Sequence, residues 1–338
     1  VYGYVADAGQ RTVKPLGKEP IYRLQLFPKG EAGSISMSDE GVISIGDPNK
    51  YIEYYDDVFL GSVSVFRYYP SQSTTHRWTR IGNVVQGDSF AFKFGYRQHI
   101  SADGKWLAVA AKGGWNASVH GAGKVTAYKL STNRRKWEKI GTTIKGNVTG
   151  ELLGQNVTMS TDGSLLVVSA AGKRAYSRGE RKGYVQVYET SNDELNLIQE
   201  YMGEVGEGFG ASISLSKDTK WLGVGAPQAK ARTGRVYVHE TNNQTLEGDI
   251  LHGEEPNERF GCSVFWIESL LAVHSCGTGV LRIFQRARNN WTEFGRVTTN
   301  GSEVAMPRDR LVLAVVSSAQ NDTLHVHHLC NESAKQAY

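Results

Sequence analysis

The sequence predicts an all-β protein, and three observations lead to this fold class. A phrase of two apolar runs around a polar turn occurs six times in the 338 residues. After most copies, a glycine opens another run of alternating residues. No long stretch with the 3.6-residue period of a helix separates the copies. Four short strands in a repeat of about 55 residues are typical of a propeller blade. The sequence therefore predicts a β-propeller of four-stranded antiparallel blades.

The recurring phrase supplies the first two strands of each blade. Its clearest copies are "FGYRQHISADGKWLAVAA" from Phe94, "LGQNVTMSTDGSLLVVSA" from Leu153, "FGASISLSKDTKWLGVGAP" from Phe209 and "FGCSVFWIESLLAVHS" from Phe260. Counted with the weaker copies, the repeats begin near residues 32, 94, 153, 209, 260 and 301. Six copies predict six blades. Seven blades remain open if the first 28 residues and the C-terminal tail form a degenerate blade.

The third strand follows a variable loop and opens on a glycine, as in "GKVTAYKL" at Gly123 and "GRVYVHET" at Gly234. Several copies end on a fourth run such as "WEKIGTTIKG" from Trp137, but the last copy has no clear fourth run. The N-terminal "RTVKPLGKEPI" resembles the end of a unit. A ring has to join its first and last blades. We therefore expect residues 1–28 to close the ring of a single domain that spans residues 1–338.

Composition agrees with this fold and bounds the partners. The chain is 40% hydrophobic, and its 38 glycines against 8 prolines suit many tight turns. No apolar segment approaches the roughly 18 residues of a membrane span. A net charge of +4 spread along the chain does not indicate a nucleic-acid or acidic-membrane partner. The chain begins without Met or a signal-like stretch, so we expect a mature or excised fragment.

The sequence indicates a secreted glycoprotein. The N-glycosylation triplet Asn-X-Ser/Thr is more frequent than composition alone predicts. It occurs at Asn116, Asn147, Asn156, Asn243, Asn290, Asn300, Asn321 and Asn331. A chain merely rich in Asn, Ser and Thr is the alternative.

The three cysteines fit an oxidising compartment with one disulfide and one residue left over. Cys262 and Cys276 flank one hairpin, which makes this pair the predicted disulfide. A Cys276–Cys330 bridge and unpaired buried thiols remain open.

The repeat resembles the FG-GAP repeat of integrin α-subunit propellers, in a short variant of secreted algal, oomycete and bacterial proteins. The residues that carry the resemblance are Phe94, Gly95, Phe209, Gly210, Gly225, Ala226, Pro227, Gly234, Arg235, Val236, Tyr237, Phe260 and Gly261. It covers nearly the whole chain and implies a binding scaffold. It departs from the family where integrin-type repeats carry a calcium loop, since "SADGK" at Asp103 keeps one carboxylate. We expect a type I′ turn there and no metal.

Few residues suggest catalysis. No Gly-X-Ser-X-Gly motif occurs. His325 and His327 share one strand face and could be two metal ligands, but an exposed strand face explains them as well. Glu53, Asp56 and Asp57 could be paired carboxylates for glycan cleavage, or a solvated acidic loop. We therefore predict no catalytic residues, no metal and no cofactor.

The loops between the second and third strands are the predicted binding surface, because in a propeller they all emerge on one face. They include "KGGWNASVHGA" at residues 112–122 and "AGKRAYSRGERK" at residues 171–182. Aromatic and arginine side chains supply most recognition energy at protein surfaces. The candidates for binding a partner are Tyr51, Tyr54, Tyr55, Asp56, Asp57, Trp115, Arg174, Tyr176, Arg178 and Arg181.

These observations predict an extracellular propeller that acts by recognition and is not an enzyme. The favoured role is a protein-interaction or adhesion module, or a structural element of a matrix or surface filament. Its partners would be other proteins or neighbouring copies, and possible glycans. A lectin and a polysaccharide-degrading enzyme are the alternatives. The tryptophans at repeat-equivalent positions favour packing between blades over sugar stacking.

Overall fold

The structure is a computed structural model of the whole chain. It describes residues 4–7, 12–15, 33–49, 60–69, 78–88, 92–113, 121–171, 182–241, 248–287, 290–299, 303–305, 312–317 and 323–328. For the first two and last three of these segments, only the strands themselves are described.

Five antiparallel sheets, numbered here in chain order, each contain four strands in sequential order. The first is β3 (Ile35–Met37), β4 (Val42–Asp47), β5 (Ser62–Tyr68) and β6 (Trp78–Arg80), with the short β7 (Val85–Gln86) also paired to β5. The second is β8 (Phe92–Ile100), β9 (Trp106–Gly113), β10 (Lys124–Leu130) and β11 (Trp137–Lys145). The third is β12 (Asn156–Met159), β13 (Leu165–Ala170), β14 (Lys182–Ser191) and β15 (Glu194–Val205).

The remaining strands complete the repeat series. The fourth sheet is β16 (Ser212–Leu215), β17 (Trp221–Ala226), β18 (Arg235–Glu240) and β19 (Asp249–His252), with the helical turn α1 (Ala229–Arg232) before β18. The fifth is β20 (Phe260–Ile267), β21 (Leu270–Ser275), β22 (Val280–Ala287) and β23 (Asn290–Thr298). A three-stranded sheet follows, with β24 (Glu303–Ala305), β25 (Val312–Ser317) and β26 (Thr323–His328).

The N-terminal strands β1 (Tyr4–Asp7) and β2 (Thr12–Pro15) pair with each other. Within the described segments, no pairing joins them to β26. The closure of a ring by the N-terminus therefore stays a prediction. The fold itself is all-β and made of four-stranded antiparallel sheets, as in a β-propeller.

The core lies between successive sheets. The first strands of neighbouring sheets contact one another along the series β3, β8, β12, β16 and β20. Four of the five hydrophobic clusters among the described residues join two consecutive sheets; for example, Val42 and Val65 of the first pack with Leu107 and Trp137 of the second. The repeat-equivalent Trp106 and Trp221 also pack in these layers. Alternating apolar residues therefore face the adjacent sheet on both sides, as a radial arrangement requires.

Glycines at the start of the third strands set the spacing between sheets. Isolated parallel bridges join Gly61 to Phe94, Gly123 to Leu153 and Gly234 to Phe260. Gly234 has φ of 91°, and a Cβ on it would overlap the carbonyl oxygen of Phe260. Only glycine allows this approach together with positive φ. The recurring Phe-Gly and the later glycine are thus two halves of one joint between sheets.

The first hairpin in three of the sheets is held by its aspartate. In the second sheet, the Asp103 carboxylate accepts hydrogen bonds from the Ser101 hydroxyl (2.6 Å) and the Lys105 amide (3.0 Å). Gly104 has φ of 68°, and its amide donates to the Ser101 carbonyl at 2.9 Å. A type I′ turn needs two central residues with positive φ, and Asp103 is not one of them. The type I′ prediction is therefore wrong, and the carboxylate satisfies the turn itself.

A glutamate that is buried in two cases and half-buried in the third fixes three of the loops that lead from one sheet to the next. Glu151, Glu207 and Glu258 each lie two residues before the residue that opens the next copy of the repeat, which is Leu153, Phe209 or Phe260. Glu207 accepts hydrogen bonds from the Glu204 amide (2.8 Å) and the Tyr237 hydroxyl (2.9 Å). These carboxylates accept hydrogen bonds from backbone amides of the loops.

Candidate active site

A cavity of about 220 Å³ opens between the second and third sheets. Its lining residues come from the start of β8, the end of β9 and the loop that enters β12. They are Tyr96, Lys112, Leu152, Leu153, Gly154 and Gln155. Lys112 is the second-last residue of β9, at the end of the strand that leads into the loop between the second and third strands. The cavity is thus on the face from which those loops emerge.

A β-bulge positions Tyr96 at this cavity. The pairing of β8 with β9 shifts register between Phe94 and Arg97, and Gly95 within the shift has φ of 85°. A bulge adds one residue to a strand and redirects its side chain, and bulges are frequent beside active sites. The Phe-Gly motif therefore both joins two sheets and directs Tyr96 into the cavity.

The opposite wall is a rigid loop. Glu151 accepts hydrogen bonds from the Asn147 amide (2.6 Å) and the Val148 amide (3.0 Å). The Tyr184 hydroxyl also donates to Glu151, and burial together with this hydrogen bond raises the pKa of Tyr184 far above its usual value. Leu152 has φ of 59°, a conformation that costs energy for a leucine and is found more often at functional sites.

Two cations lie against the ring of Tyr96. The Lys112 ammonium is 4.9 Å from the ring centroid, and the Arg97 guanidinium carbon is 5.2 Å from it. Cation–π contacts of this length are favourable and hold the charges near the cavity. Within the part of the chain that the structure describes, none of the residues that line it carries a carboxylate. The site therefore attracts groups that carry or develop negative charge.

Gln155 adds a polar group to the wall. Its Oε1 atom is buried and has no hydrogen-bond partner among the described residues. The backbone amide of Gln155 cannot serve a ligand, since it donates to the backbone carbonyls of Leu152 (3.0 Å) and Ser169 (3.1 Å). A buried acceptor without a donor is costly, so a bound hydroxyl group or water would be stabilised here.

The cavity occurs where a repeated contact between first strands is replaced. In other sheets, a Ser or Asn near the start of the first strand donates to a backbone carbonyl of the next sheet. These hydrogen bonds run from Ser34 to Gly95 (3.1 Å), from Asn156 to Ala211 (2.7 Å) and from Ser212 to Gly261 (2.8 Å). Arg97 occupies this position in the second sheet, is exposed and contacts Tyr96 instead. Among the described residues, Arg97 donates no such hydrogen bond to the third sheet, and the cavity lies at this junction.

The ten predicted partner-binding residues, from Tyr51 to Arg181, all lie outside the described residues. Their role stays a prediction. Asn147 and Asn290 are exposed. Asn156 is half-buried, and its Nδ2 atom, to which a glycan would attach, donates to the next sheet. The other five Asn-X-Ser/Thr sites lie outside the described part of the chain.

Cys262 and Cys276 are joined by a disulfide with a Cα–Cα distance of 6.1 Å. Cys330 lies outside the described residues. In those residues, no group of three or more His, Cys, Asp or Glu side chains could hold a metal ion.

Two of the cavity residues differ from their equivalents in the other copies of the repeat, which is a weak signal in the sequence. Lys112 stands where the fourth copy has Pro227, and it opens the loop at 112–122 that we selected for its aromatic residue. Tyr96 stands where the fourth copy has Ala211. A comparison of the copies position by position would have marked both as departures from the small or apolar residues of the repeat.

Comparisons with known proteins support the fold. No protein-family profile matches this sequence, and no curated protein matches it. The periplasmic gluconolactonase PpgL of Pseudomonas aeruginosa is similar in structure, with a TM-score of 0.63 and 18% identity over 98% of this chain and 88% of that chain. A protein from Lactobacillus plantarum is similar with a TM-score of 0.57 and 14% identity, again over 98% and 88%. At these identities the likeness shows the fold alone.

These comparisons correct the functional prediction. From the sequence, we favoured an interaction, adhesion or assembly module that is not an enzyme. The named protein that matches almost the whole chain is instead a lactonase. The error has a physical reason: the Phe-Gly and glycine positions form joints between sheets, so they report the scaffold and not its use. A propeller-like fold is supported, whereas nothing supports the FG-GAP family itself.

Proposed function

We propose that the protein is a hydrolase of the lactonase type that acts on a lactone of a polyhydroxy acid. The observation that carries this proposal is the cavity at Tyr96, Lys112 and Gln155, which combines a cation, a phenol and an unsatisfied buried acceptor. The structural likeness to a gluconolactonase gives the reaction class.

The reaction places specific demands on these groups. The oxygen of water bonds to the lactone carbonyl carbon, the ring C–O bond breaks and the ring oxygen takes a proton. The hydroxy acid formed loses one proton at neutral pH. Lys112 would stabilise the negative charge that develops on the carbonyl oxygen. Gln155 would accept a hydrogen bond from a substrate hydroxyl, and the ring of Tyr96 would lie against the sugar-like carbons.

Proton release from D-glucono-1,5-lactone and related lactones, measured above the spontaneous rate, tests this proposal. Removal of one group that stabilises an oxyanion costs about 100-fold in kcat. We therefore expect Lys112→Ala to lower the enzymatic rate about 100-fold. Lys105→Ala is the matched control, since Lys105 is an exposed lysine in the hairpin turn of the same sheet. The proposed function would be refuted if the unchanged protein did not accelerate the hydrolysis of any of these lactones.

We also infer that the protein is exported. The disulfide and the exposed sites Asn147 and Asn290 support this inference, and the similar gluconolactonase is periplasmic. Among the described residues, the longest helix has four residues, so none could cross a membrane. A mass shift on treatment with an N-glycosidase would identify glycosylated protein.

For the ring, we propose six blades of the FG-GAP type. The sheet β24–β26 would be the sixth blade, and the N-terminal hairpin β1–β2 would supply its missing strand. The support is that this last sheet has three described strands whereas the five before it have four or more.

A further inference from the structure

We propose that the cavity selects lactones that carry a second, permanent carboxylate, such as the lactones of dicarboxylic sugar acids. This inference rests on the proposed function and names its substrate class. Two cations flank the ring of Tyr96, although the reaction itself needs only one at the carbonyl oxygen. Lys112 lines the cavity, and Arg97 stands beside the same ring as the second charge.

Arg97 differs from arginines such as Arg235 and Arg282, which are held in ion pairs with carboxylates. Arg235 is paired with Glu204 (3.4 Å) and Glu207 (3.8 Å). Arg282 is enclosed by three glutamates, at 3.1 Å from Glu254, 3.0 Å from Glu293 and 4.0 Å from Glu258. Arg97 is exposed and forms no ion pair with the described residues. Its guanidinium is therefore available to a ligand.

The backbone of the wall favours a carboxylate over a phosphate. Phosphate sites commonly offer several free backbone amides to the anion. Here the amides of Leu152, Leu153 and Gly154 donate to carbonyls of Gly121 (3.0 Å), Ala122 (2.8 Å) and Ser169 (2.9 Å). The charge of a ligand thus has to be met by side-chain cations. A planar carboxylate matches the two parallel N–H groups of a guanidinium.

Calorimetric titration with galactarate and with gluconate tests the subsite without any turnover. The two anions have the same carbon number, and the first carries one more carboxylate. We expect galactarate to bind about tenfold more tightly than gluconate at low salt, and this ratio to fall towards one in Arg97→Gln. Arg135→Gln is the matched control, because Arg135 is an exposed arginine in a turn of the same sheet. Arg97→Lys should recover part of the ratio.

The same variants are then compared in hydrolysis. The ratio of kcat/KM for D-saccharo-1,4-lactone to that for D-glucono-1,5-lactone should fall about tenfold in Arg97→Gln. Equal binding of both anions with no dependence on Arg97 would overturn the subsite, even if neutral lactones are hydrolysed. Binding of galactarate through Arg97 without hydrolysis of any lactone would support the subsite and refute the lactonase proposal. Thermal melting of each variant identifies one that fails to fold, and Arg97→Lys then supplies the test.

Discussion

The second and fifth sheets use the same two backbone positions in opposite ways. The residue two places after the opening phenylalanine is Tyr96 in one sheet and Cys262 in the other. On the second strand, the residue that follows the pairing partner of that phenylalanine is Lys112 in the second sheet and Cys276 in the fifth. Both first strands carry a register shift at this point. In the second sheet the two side chains border a cavity, whereas in the fifth a disulfide joins them. The same pair of backbone positions therefore borders a cavity in one sheet and carries a disulfide in another, and only the side chains differ.

The residues that adjoin these two positions also differ between the sheets, since those of the fifth sheet are more often polar and buried. His274 of the fifth sheet is fully buried, and its Nε2 atom lies 3.2 Å from the Thr299 hydroxyl. The equivalent residue of the second sheet is Ala110, beside which Gly154 of the third sheet packs closely. The loop that enters the fifth sheet contains the buried Glu258, whereas the equivalent residue of the second copy is Phe92, the first residue of β8. The fifth sheet thus carries more buried polar structure, and the second more open surface.

The largest expected effect comes from the buried glutamate of the fifth sheet. Glu258 accepts hydrogen bonds from the Glu255 amide (3.0 Å) and the Ser275 hydroxyl (2.7 Å) and lies beside Arg282. Glu258→Ala leaves these buried groups unsatisfied and should lower the free energy of unfolding by about 3 to 4 kcal/mol. Chemical denaturation measures this loss.

The control for that variant is Glu254→Ala, which removes a half-exposed carboxylate from the same loop. It should cost less than about 1 kcal/mol. Equal losses in the two variants would mean that burial of Glu258 is not what makes it important.

Removal of the Cys262–Cys276 disulfide should have the next largest effect on the free energy of unfolding. The disulfide closes a sequence separation of 14 residues, for which the loss of chain constraint is about 3 kcal/mol. The Cys262→Ser, Cys276→Ser double variant should unfold at lower denaturant concentration by this amount. The proposed lactone hydrolysis at the cavity of the second sheet should be unchanged under native conditions. A parallel loss of activity would show that the two sheets are coupled and not independent uses of one position.

The smallest effect is a pH dependence of stability in the fifth sheet. Burial lowers the pKa of His274 from 6.5 to about 4. Between these values the unfolded chain binds a proton that the folded protein does not, so stability is complete above pH 6.5 and falls as the pH decreases towards 4. The contribution of this residue is on the order of 2 kcal/mol after allowance for solvent.

His274→Gln should make the free energy of unfolding less dependent on pH in that range. His239, whose pKa burial also lowers to about 4, provides the residual dependence. Identical pH profiles for the variant and the unchanged protein would mean that His274 is already accessible to protons in the fold.

Much of the fold followed from the sequence because its signals are local. The alternating runs, the polar turns and the Phe-Gly pairs are each read within a few residues, and five sheets formed where the copies were recognised. The glutamate two residues before Phe209 and Phe260 was as regular as these signals. It was missed because a single charged residue in a loop is ordinarily solvated.

The candidate site could not be predicted from the sequence, because it lies where one copy of the repeat lacks the Ser or Asn that joins neighbouring first strands in other copies. Tyr96, Lys112 and Gln155 belong to common residue types and form no motif. They come together only because the second and third sheets pack side by side, with Arg97 in place of a serine at their junction. We placed the predicted binding surface on the long loops rich in aromatic and basic residues, since loop length and charge can be recognised from the sequence alone.

The glycine joints between sheets carry a consequence for how such a protein changes over time. Each joint lies at the root of the variable loop, on the third strand that follows it, so a loop gains or loses residues without altering the distance between neighbouring sheets. Substitution of Gly123 or Gly234 would instead push two sheets apart along their whole inner edge. Changes of loop length are therefore tolerated, whereas substitutions at the glycine joints are not, so that the same sheets can carry different loops at an unchanged spacing.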